Sequence, residues 1–431
     1  MAMLIFPSAT DEVEVKIRRI QQRTREQLAL ADWELAPLYV DKDELTADEF
    51  SLVWRRGIVV VVRGLLDTLK GKIWKPEWWI KNFGDEPVQV LDCKRKGDLV
   101  GEWPLKDFYR AFDGDDEYSS LFEESDGWEK RLKRIKRSIL KLKDWPPTEG
   151  FEERLPDHFR NFMEALPFHD YTSRGGKYNL ANRLPEEFVP PDLGPKMYCA
   201  YGSSDREGGV GTTNLHCDMA DAVNIMAYAS KTFLAENDIS VPGIWSAREA
   251  VKPAGSGEPS EGGPKKAAAA VWDIYPPTAL ENLRDYIRAS KGSQWGDPIH
   301  NQDRFLTEPD RRKIHAQFGA NGMCYRIYQN PGDAVFVPAG SAHQVCNYAN
   351  AIKVAMDFVS PERVEFCQRM TADFRKLPSE HLRNRDLLQI DNILLWTFAG
   401  KGAMREKEKP AKKPPAAAPR PKKEKGCEAS W

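Results

Sequence analysis

Apolar residues in the C-terminal half of the chain form short runs separated by turn-forming residues. The runs at 223–229, 323–328, 334–340 and 352–359 are rich in β-branched and aromatic residues, and Gly, Pro, Asn and Asp punctuate them. Short strands separated in this way are typical of an antiparallel barrel or sandwich. The continuous run GIVVVVRGL at 57–65 predicts one more, buried strand. We therefore expect a small β-barrel with helical additions on its N-terminal side.

Two segments of the N-terminal half carry apolar residues at helical spacing among many basic residues. Residues 15–34 predict an amphipathic helix, and residues 129–144 predict a second one. The apolar stripe of the second helix consists of Leu132, Ile135, Ile139 and Leu142. Its basic face is typical of a solvated surface, and a nuclear-import or DNA-binding patch is the weaker alternative.

Two further segments have compositions that do not support a packed core. Residues 252–270 are dense in Gly, Pro, Ser and Ala, which predicts a linker or loop insertion. Residues 401–427 are rich in Lys and Pro with almost nothing to bury, which predicts a disordered basic tail. The tail could serve as an import signal, a nonspecific nucleic-acid contact or a solubilising segment.

The overall composition indicates a globular protein. The 431 residues are 41% hydrophobic with a formal net charge of -2, so any nucleic-acid contact would depend on local patches. Seven cysteines occur without a CxxC pair, which argues against a zinc finger or a disulfide framework. Neither a signal peptide nor an apolar run of membrane-spanning length is visible. We expect a soluble protein in a reducing compartment, without membrane contact.

The segment GDAVFVPAGSAHQVCN at 332–347 contains a candidate metal ligand. Its glycines, proline, histidine and asparagine follow the spacing G-x5-P-x-G-x2-H-x3-N, which turns the chain sharply and begins a new strand at His343. Side chains alternate along a strand, so His343, Val345 and Asn347 share one face. Alone, His343 would more often be a structural residue.

A second segment, GTTNLHCDMADAVNIM at 211–226, changes that interpretation. His216 and Asp218 are two residues apart, so an extended backbone points both to the same side. Alone, this H-x-D pair is more often a turn or a helix cap. Together with the distant His343 it forms the ligand set of a 2-His-1-carboxylate triad, whose open positions suit non-heme Fe(II) oxygenases.

Such an iron site needs an electron source, usually 2-oxoglutarate, whose distal carboxylate needs a cation. Lys353 is the main candidate because it alternates with the bulky apolar residues of its strand and shares a face with the small Ala355. An outward-facing, solvated lysine is the alternative. Lys231 competes as the anchor, since it follows the strand that carries Asn224. The Thr213 hydroxyl could donate a hydrogen bond to the same carboxylate.

These segments resemble the JmjC (Jumonji C) oxygenases, in particular the class of histone demethylases that act on mono- and dimethylated lysine 9 of histone H3. The resemblance extends over roughly residues 50–370. It rests on the run around WRRGIVVVVRG and on the segments at 140–147, 171–202, 211–226, 297–306, 332–347 and 352–362. It implies a mainly β fold with helical additions (α+β): a double-stranded β-helix of jelly-roll or cupin type with an N-terminal helical region.

The resemblance also implies roles for individual residues. His216, Asp218 and His343 match the family's iron ligands, and Thr213 matches a position that contacts the cosubstrate. Asn224 and Asn347 match positions near the metal. Lys353 agrees with this class and with the general oxygenase arrangement, whereas many JmjC enzymes place the lysine on the strand after H-x-D, where this chain offers Lys231.

The implied activity is oxidative demethylation of histone H3 in the nucleus, with Fe(II), 2-oxoglutarate and O2, releasing formaldehyde and succinate. The implied partner is the histone H3 tail or the nucleosome. A cysteine-rich zinc finger, usual ahead of the catalytic domain in this class, is not visible in this sequence. Two alternatives therefore stay open: a JmjC hydroxylase of a non-histone protein, and a catalytically silent chromatin scaffold.

Composition and the resemblance together predict how the chain is divided. We expect an N-terminal helical segment at 1–50, a mixed helix and strand part of the catalytic unit at 51–195, the JmjC β-helix at 196–370 with a flexible insertion at about 235–270, a C-terminal helical segment at 371–400 and the basic tail at 401–431.

Overall fold

Two β-sheets surrounded by helices form the centre of the molecule. The computed structural model describes residues 10–95, 97–113, 118–121, 127–142, 145–146, 150–230, 268–291, 296–381 and 383–400. Within these residues the strands are β1 (Glu34–Leu35), β2 (Leu38–Asp41), β3 (Val60–Arg63), β4 (Pro87–Asp92), β5 (Asp98–Pro104), β6 (Leu140–Leu142), β7 (Lys196–Ala200), β8 (Thr213–His216), β9 (Asp221–Ala229), β10 (Ala270–Tyr275), β11 (Cys324–Gln329), β12 (Ala334–Val337), β13 (Ala342–Asn347) and β14 (Ala351–Phe358).

The helices lie mainly before β7 and after β14. In the described residues they are α1 (Asp11–Leu28), α2 (Ala47–Arg55), α3 (Pro76–Phe83), α4 (Leu105–Tyr109), α5 (Trp128–Ile135), α6 (Phe151–Arg154), α7 (Pro156–Ala165), α8 (His169–Thr172), α9 (Leu280–Lys291), α10 (Glu308–Phe318), α11 (Val364–Phe374) and α12 (Ile390–Ala399).

The two sheets face each other across a shared apolar interior. One has the strand order β1-β11-β10-β13-β8, and the other β2-β3-β12-β9-β14-β7-β6-β4-β5. Trp272, Ile274 and Val345 of the first sheet pack with Met226 and Val335 of the second. Strand pairs around this interior, such as β13 with β8 and β14 with β9, are antiparallel. The predicted mainly β, cupin-like fold with helical additions is confirmed.

The outer face of the larger sheet is covered by N-terminal helices, because both surfaces are strongly apolar. Phe336 and Phe358 point outward from β12 and β14 and join a buried cluster with Phe50 and Trp54 of α2. The Trp54 ring stacks on Phe358 with centroids 6.0 Å apart. The predicted run at 57–65 forms the buried strand β3 in this sheet. Burial on both faces explains its unbroken β-branched sequence.

The first predicted helix is present with shifted ends. It begins at Asp11, where the Thr10 side chain accepts a hydrogen bond from the Val13 N–H, and acidic residues occupy its first turn. It ends at Leu28, because Ala29 adopts a left-handed conformation with φ of 48°. Residues 29–34, which the periodicity included in the helix, are therefore not helical.

The predicted helix at 129–144 is correct only in its first half. Helix α5 ends at Ile135, and Leu140–Leu142 instead form β6, which pairs antiparallel with β4. Leu140 and Leu142 are both buried with a half-buried residue between them, the alternation of a strand. The two-residue spacing of these leucines fits a strand, and pairing with β4 makes this segment a strand instead of a continuation of the helix.

Several predicted features fall where the structure gives no description. Most of the predicted insertion, the basic tail and Lys231 lie outside the described residues. Among the residues that are described, none of the helices has the length and apolarity to cross a lipid bilayer.

Candidate metal centre

Two histidines meet at one end of the space between the sheets because their strands are paired in register. His343 of β13 lies directly opposite His216 of β8, and their ring centroids are 4.2 Å apart. The turn before β13 depends on Gly340, whose φ of 79° is left-handed. An added Cβ there would also approach the Phe366 ring to 3.2 Å. The spacing of glycine and histidine in the sequence therefore has a direct structural cause.

Asp218 completes the centre from the connection between the two sheets. It follows β8 of the smaller sheet and precedes β9 of the larger one. Its carboxylate oxygens lie 3.7 Å from His216 Nε2 and 3.4 Å from His343 Nε2. One ligand atom of each of the three residues lies within 4.8 Å of the others, so the group could hold a metal ion. Three protein ligands leave further coordination positions open.

Backbone carbonyls orient both imidazoles. His216 Nδ1 donates to the Asn214 carbonyl at 2.8 Å, and His343 Nδ1 donates to the Ser341 carbonyl at 3.3 Å. Each contact fixes the ring so that Nε2 faces the centre, the arrangement that outer contacts of metal-bound histidines usually provide.

The protonation states also suit a metal site. Burial, followed by the proximity of His343, lowers the pKa of His216 to about 4. Burial alone would raise the pKa of Asp218, but the two histidines outweigh it, so this pKa lies below its ordinary value. At neutral pH the centre thus offers a neutral imidazole at His216 and an ionised carboxylate, the forms that bind metal.

A network that sequence reasoning missed holds the ligand-bearing turn. Arg383, which follows α11, donates to the Cys217 carbonyl at 2.8 Å, between the two ligands. Asn214 Nδ2 donates to the Gln302 carbonyl at 2.9 Å, and Gln302 has an unusual φ of 54°. In its hydrogen-bonding orientation the Gln302 side-chain oxygen accepts from Arg383. Arg383 contacts the Cys217 carbonyl, and Gln302 contacts the Asn214 side chain through its own carbonyl. Both residues are distant in sequence from the ligands, and the resemblance of the segment at 297–306 did not indicate this role for Gln302.

Lys353 lies inside the barrel, on the face predicted for it. It is 4% exposed, and its Nζ lies 4.9 Å from the centroid of the Trp272 ring. The same ring lies 6.1 Å from the His343 ring, which places the lysine next to the candidate metal centre. Nζ has no hydrogen-bond partner among the described residues. Burial lowers its pKa to about 7. An unpaired buried ammonium is costly, which favours binding of an anion.

The other predicted contacts are distributed around the same interior. Asn347 is buried on β13, and its Oδ1 also has no partner in the described part of the chain. Thr213 pairs with Val345, two residues from His343. Asn224 is buried on β9, but its Oδ1 accepts from Gln329 at 3.4 Å, so its side chain is already engaged.

Asp357 is a further inward-facing residue that the sequence analysis did not select. It lies on the face of β14 that carries Lys353 and Ala355, opposite the outward-packed Phe358. Burial, and then the charge of Asp218, raises its pKa to about 8. The alternation that identified Lys353 was sufficient to find this residue as well.

A double-sheet barrel with two histidines and a carboxylate converging at one end defines the class of cupin-type, metal-dependent oxygenases. Residues 266–358 match the family model described as JmjC domain, hydroxylase. The matched region includes His343 and Lys353, whereas His216 and Asp218 precede it. The predicted resemblance to this family is confirmed.

Similar proteins carry demethylase names. The chain is 38% identical over 356 residues to lysine-specific demethylase 3 of Drosophila melanogaster, covering 80% of this chain and 39% of that protein. It is 37% identical over 363 residues to lysine-specific demethylase 3A of Homo sapiens, covering 80% and 25%. It is 34% identical over 393 residues to lysine-specific demethylase JMJ26 of Arabidopsis thaliana, covering 82% and 42%. The matched region of the chain thus covers between about a quarter and two fifths of the length of these relatives.

Proposed function

We propose that this protein removes methyl groups oxidatively from methylated lysine of histone H3, using Fe(II), 2-oxoglutarate and O2. Mono- and dimethylated lysine 9 is the proposed site, as in the class that the sequence resembles. The observation that carries the proposal is the convergence of His216, Asp218 and His343 beside the buried Lys353, whose Nζ has no hydrogen-bond partner in the part of the chain that the structure describes. Similarity to proteins named lysine-specific demethylases supports the same reaction.

The three ligands suit iron because two imidazoles and one carboxylate are donors that Fe(II) accepts, and they leave positions for other ligands. When bound, iron together with 2-oxoglutarate and O2 supplies the oxidising power that hydroxylates a methyl group. The residues of the chain bind and orient the reactants. Asn214 and Ser341 keep the imidazoles directed inward through their carbonyls.

Lys353 is the proposed anchor for the distal carboxylate of 2-oxoglutarate. An anion at Nζ would provide the partner that this buried group lacks and would favour its protonated form. Thr213 and Asn347 are proposed as further contacts, and Asn224 as a residue that borders the pocket. Lys231 is the competing anchor and lies outside the described residues. The position of Lys353 beside Trp272 supports the first choice.

Hydroxylation of an N-methyl group gives a hemiaminal, which loses formaldehyde without further catalysis. The protein therefore needs no dedicated acid or base for this step, and its task is to position the methyl group and exclude water. The apolar lining between the sheets, including Trp272, Val345 and Met226, suits the exclusion of water.

Partner, compartment and domain division belong to the same proposal. The substrate would be the histone H3 tail or the nucleosome, in the nucleus, with the basic segment at 401–431 as a nonspecific nucleic-acid contact. The division into segments at 1–50, 51–195, 196–370 and 371–400 is proposed without change. A second candidate function is hydroxylation of another protein, which the hydroxylase description of the matched family favours.

A panel of methylated histone H3 peptides tests these functions. With iron and 2-oxoglutarate supplied, mass spectrometry is expected to show stepwise loss of methyl groups together with formaldehyde. Addition of oxygen to an unmethylated peptide would favour the hydroxylase instead. The variant His216→Ala is expected to be inactive, whereas His169→Ala, an exposed histidine on α8, is expected to retain activity. Absence of methyl loss from every peptide would contradict the proposal.

A further inference from the structure

An acidic side chain on the inner face of the larger sheet has no bonded partner among the described residues. Asp357 is half-buried on the inner face of β14, four residues beyond Lys353, so the two charges occupy opposite ends of one strand face. Its strand partner is Ala222 of β9, which follows shortly after Asp218. Among the residues that the structure describes, the Asp357 carboxylate makes no hydrogen bond and no ion pair.

The neighbouring acids, by contrast, each have a partner or a role. Asp192 pairs with Lys196 at 3.1 Å. Asp221 accepts hydrogen bonds from Ser360 Oγ at 2.6 Å and from the Ala339 N–H at 2.8 Å. Asp218 belongs to the metal centre. Lys196 is the one cation among the main charged neighbours of Asp357. Asp357 is therefore the acid in this group that is placed to accept a substrate cation.

Asp357 is not placed as a fourth metal ligand. The group whose ligand atoms all lie within 4.8 Å of one another contains His216, Asp218 and His343 only, in the described part of the chain. Asp218 is one of the charged neighbours of Asp357, so Asp357 lies near the centre without belonging to the ligand set. There it can contact the group that approaches the open coordination positions. In a lysine demethylase this is the alkylated nitrogen of the substrate.

We propose that Asp357, whose ionised form the substrate cation would favour, accepts an N–H hydrogen bond from the mono- or dimethylated ammonium of the substrate lysine and thereby selects against the trimethylated form. Monomethyl- and dimethylammonium groups retain N–H bonds, whereas trimethylammonium has none. Charge attraction acts on all three cations alike, so only the hydrogen bond discriminates. A charge-assisted hydrogen bond corresponds to a preference of about ten- to a hundredfold. This inference rests on the proposed function.

The test measures peptide binding without turnover. Fluorescence anisotropy of labelled histone H3 peptides, dimethylated or trimethylated at lysine 9, is recorded with Ni(II) in place of iron and with 2-oxoglutarate present. Asp357→Ala is expected to abolish the preference for the dimethylated peptide, a fall of about tenfold or more in the affinity ratio. Asp357→Asn keeps an oxygen acceptor and is expected to retain part of the preference.

Two controls separate this role from a structural one. Asp192→Asn removes an exposed carboxylate that neighbours Asp357 and is expected to leave the affinity ratio unchanged. Metal affinity, measured by Co(II) titration, is expected to be the same in Asp357→Ala and the unmodified protein. Equal loss of affinity for both peptides, loss of metal binding, or the same effect from Asp192→Asn would each overturn the inference.

The outcomes for the site and for the reaction are distinguishable. Binding of the dimethylated peptide that depends on Asp357 without any methyl loss would retain this site and refute the demethylase. Methyl loss with an unchanged affinity ratio in Asp357→Ala would retain the demethylase and refute the role of Asp357.

Discussion

Buried polar side chains occupy two neighbouring regions of the barrel, one behind the five-stranded sheet and one between the sheets. Behind the sheet, Asp273 accepts from Arg326 at 2.8 Å and from Gln344 at 2.9 Å. Between the sheets, Lys353 Nζ and Asn347 Oδ1 lack hydrogen-bond partners among the described residues. The Asp273 carboxylate is thus satisfied by the chain itself, whereas the Lys353 and Asn347 groups are left for a ligand to complete.

The largest expected effect is the loss of stability on removing the Asp273 carboxylate behind the five-stranded sheet. Asp273→Ala would leave the Arg326 guanidinium buried with one partner fewer, so we expect the free energy of unfolding to fall by about 3–5 kcal/mol. Urea denaturation measures this change. Asp285→Ala, at an exposed position on α9, serves as the control and is expected to change stability by at most about 0.5 kcal/mol. A small effect of Asp273→Ala would mean that Asp205 alone suffices for Arg326.

A substitution between the sheets is expected to raise the free energy of unfolding instead of lowering it. Lys353→Met removes an unpaired buried charge, so the protein without cosubstrate is expected to gain about 1–3 kcal/mol of stability. Calorimetric titration is expected to show no remaining binding of 2-oxoglutarate. Lys313→Met on α10 is the matched control, since this lysine is exposed. Unchanged 2-oxoglutarate affinity in Lys353→Met would identify Lys231 as the anchor instead.

The pH dependence of stability tests whether Lys353 is buried as an uncompensated charge. The pKa of Lys353 is about 7 in the folded protein, below the value of about 10.4 for an unfolded lysine. Between these values the unfolded chain binds more protons, so the contribution of Lys353 to stability becomes more favourable as pH rises through that window. Below about pH 7 its penalty is fully present. The stability difference between the unmodified protein and Lys353→Met should therefore follow this trend, and a flat difference would contradict it.

Asn347→Ala should have the smallest effect. Its side-chain oxygen has no bond to lose within the described chain, so stability is expected to stay nearly unchanged. If the amide contacts 2-oxoglutarate, removal of one hydrogen bond weakens cosubstrate binding by about 1 kcal/mol, or about fivefold. Titration of both proteins with 2-oxoglutarate measures the difference. A large loss of stability would show that Asn347 is structural.

Sequence reasoning succeeded where one pattern had one structural solution. The runs at 223–229 and 352–359 form strands of the sheet interior because their β-branched and aromatic residues are buried on both faces. The spacing around His343 required a turn at Gly340 and a strand after it, and both are present. The convergence of His216, Asp218 and His343 could be predicted because their spacing also fits one arrangement of strands. The catalytic roles of these residues stay predictions.

The errors arose where a pattern fits two structures. Leu140 and Leu142 lie in β6 rather than in the predicted helix, because pairing with β4 determines their conformation and that pairing is not visible locally. Arg383 and Gln302 were missed because they hold the site through backbone contacts from distant segments. The role of Asn224 stays a prediction, and its side-chain oxygen accepts a hydrogen bond from Gln329.

The position of Asp218 between the sheets has a mechanical consequence. His216 and His343 belong to the smaller sheet, and the chain crosses to the larger sheet directly after Asp218. A cation bound by His216, His343 and Asp218 would therefore link the smaller sheet to the segment that enters the larger sheet. Loading with metal should then slow amide hydrogen exchange in β8 and in the first residues of β9, at a distance from any bound peptide.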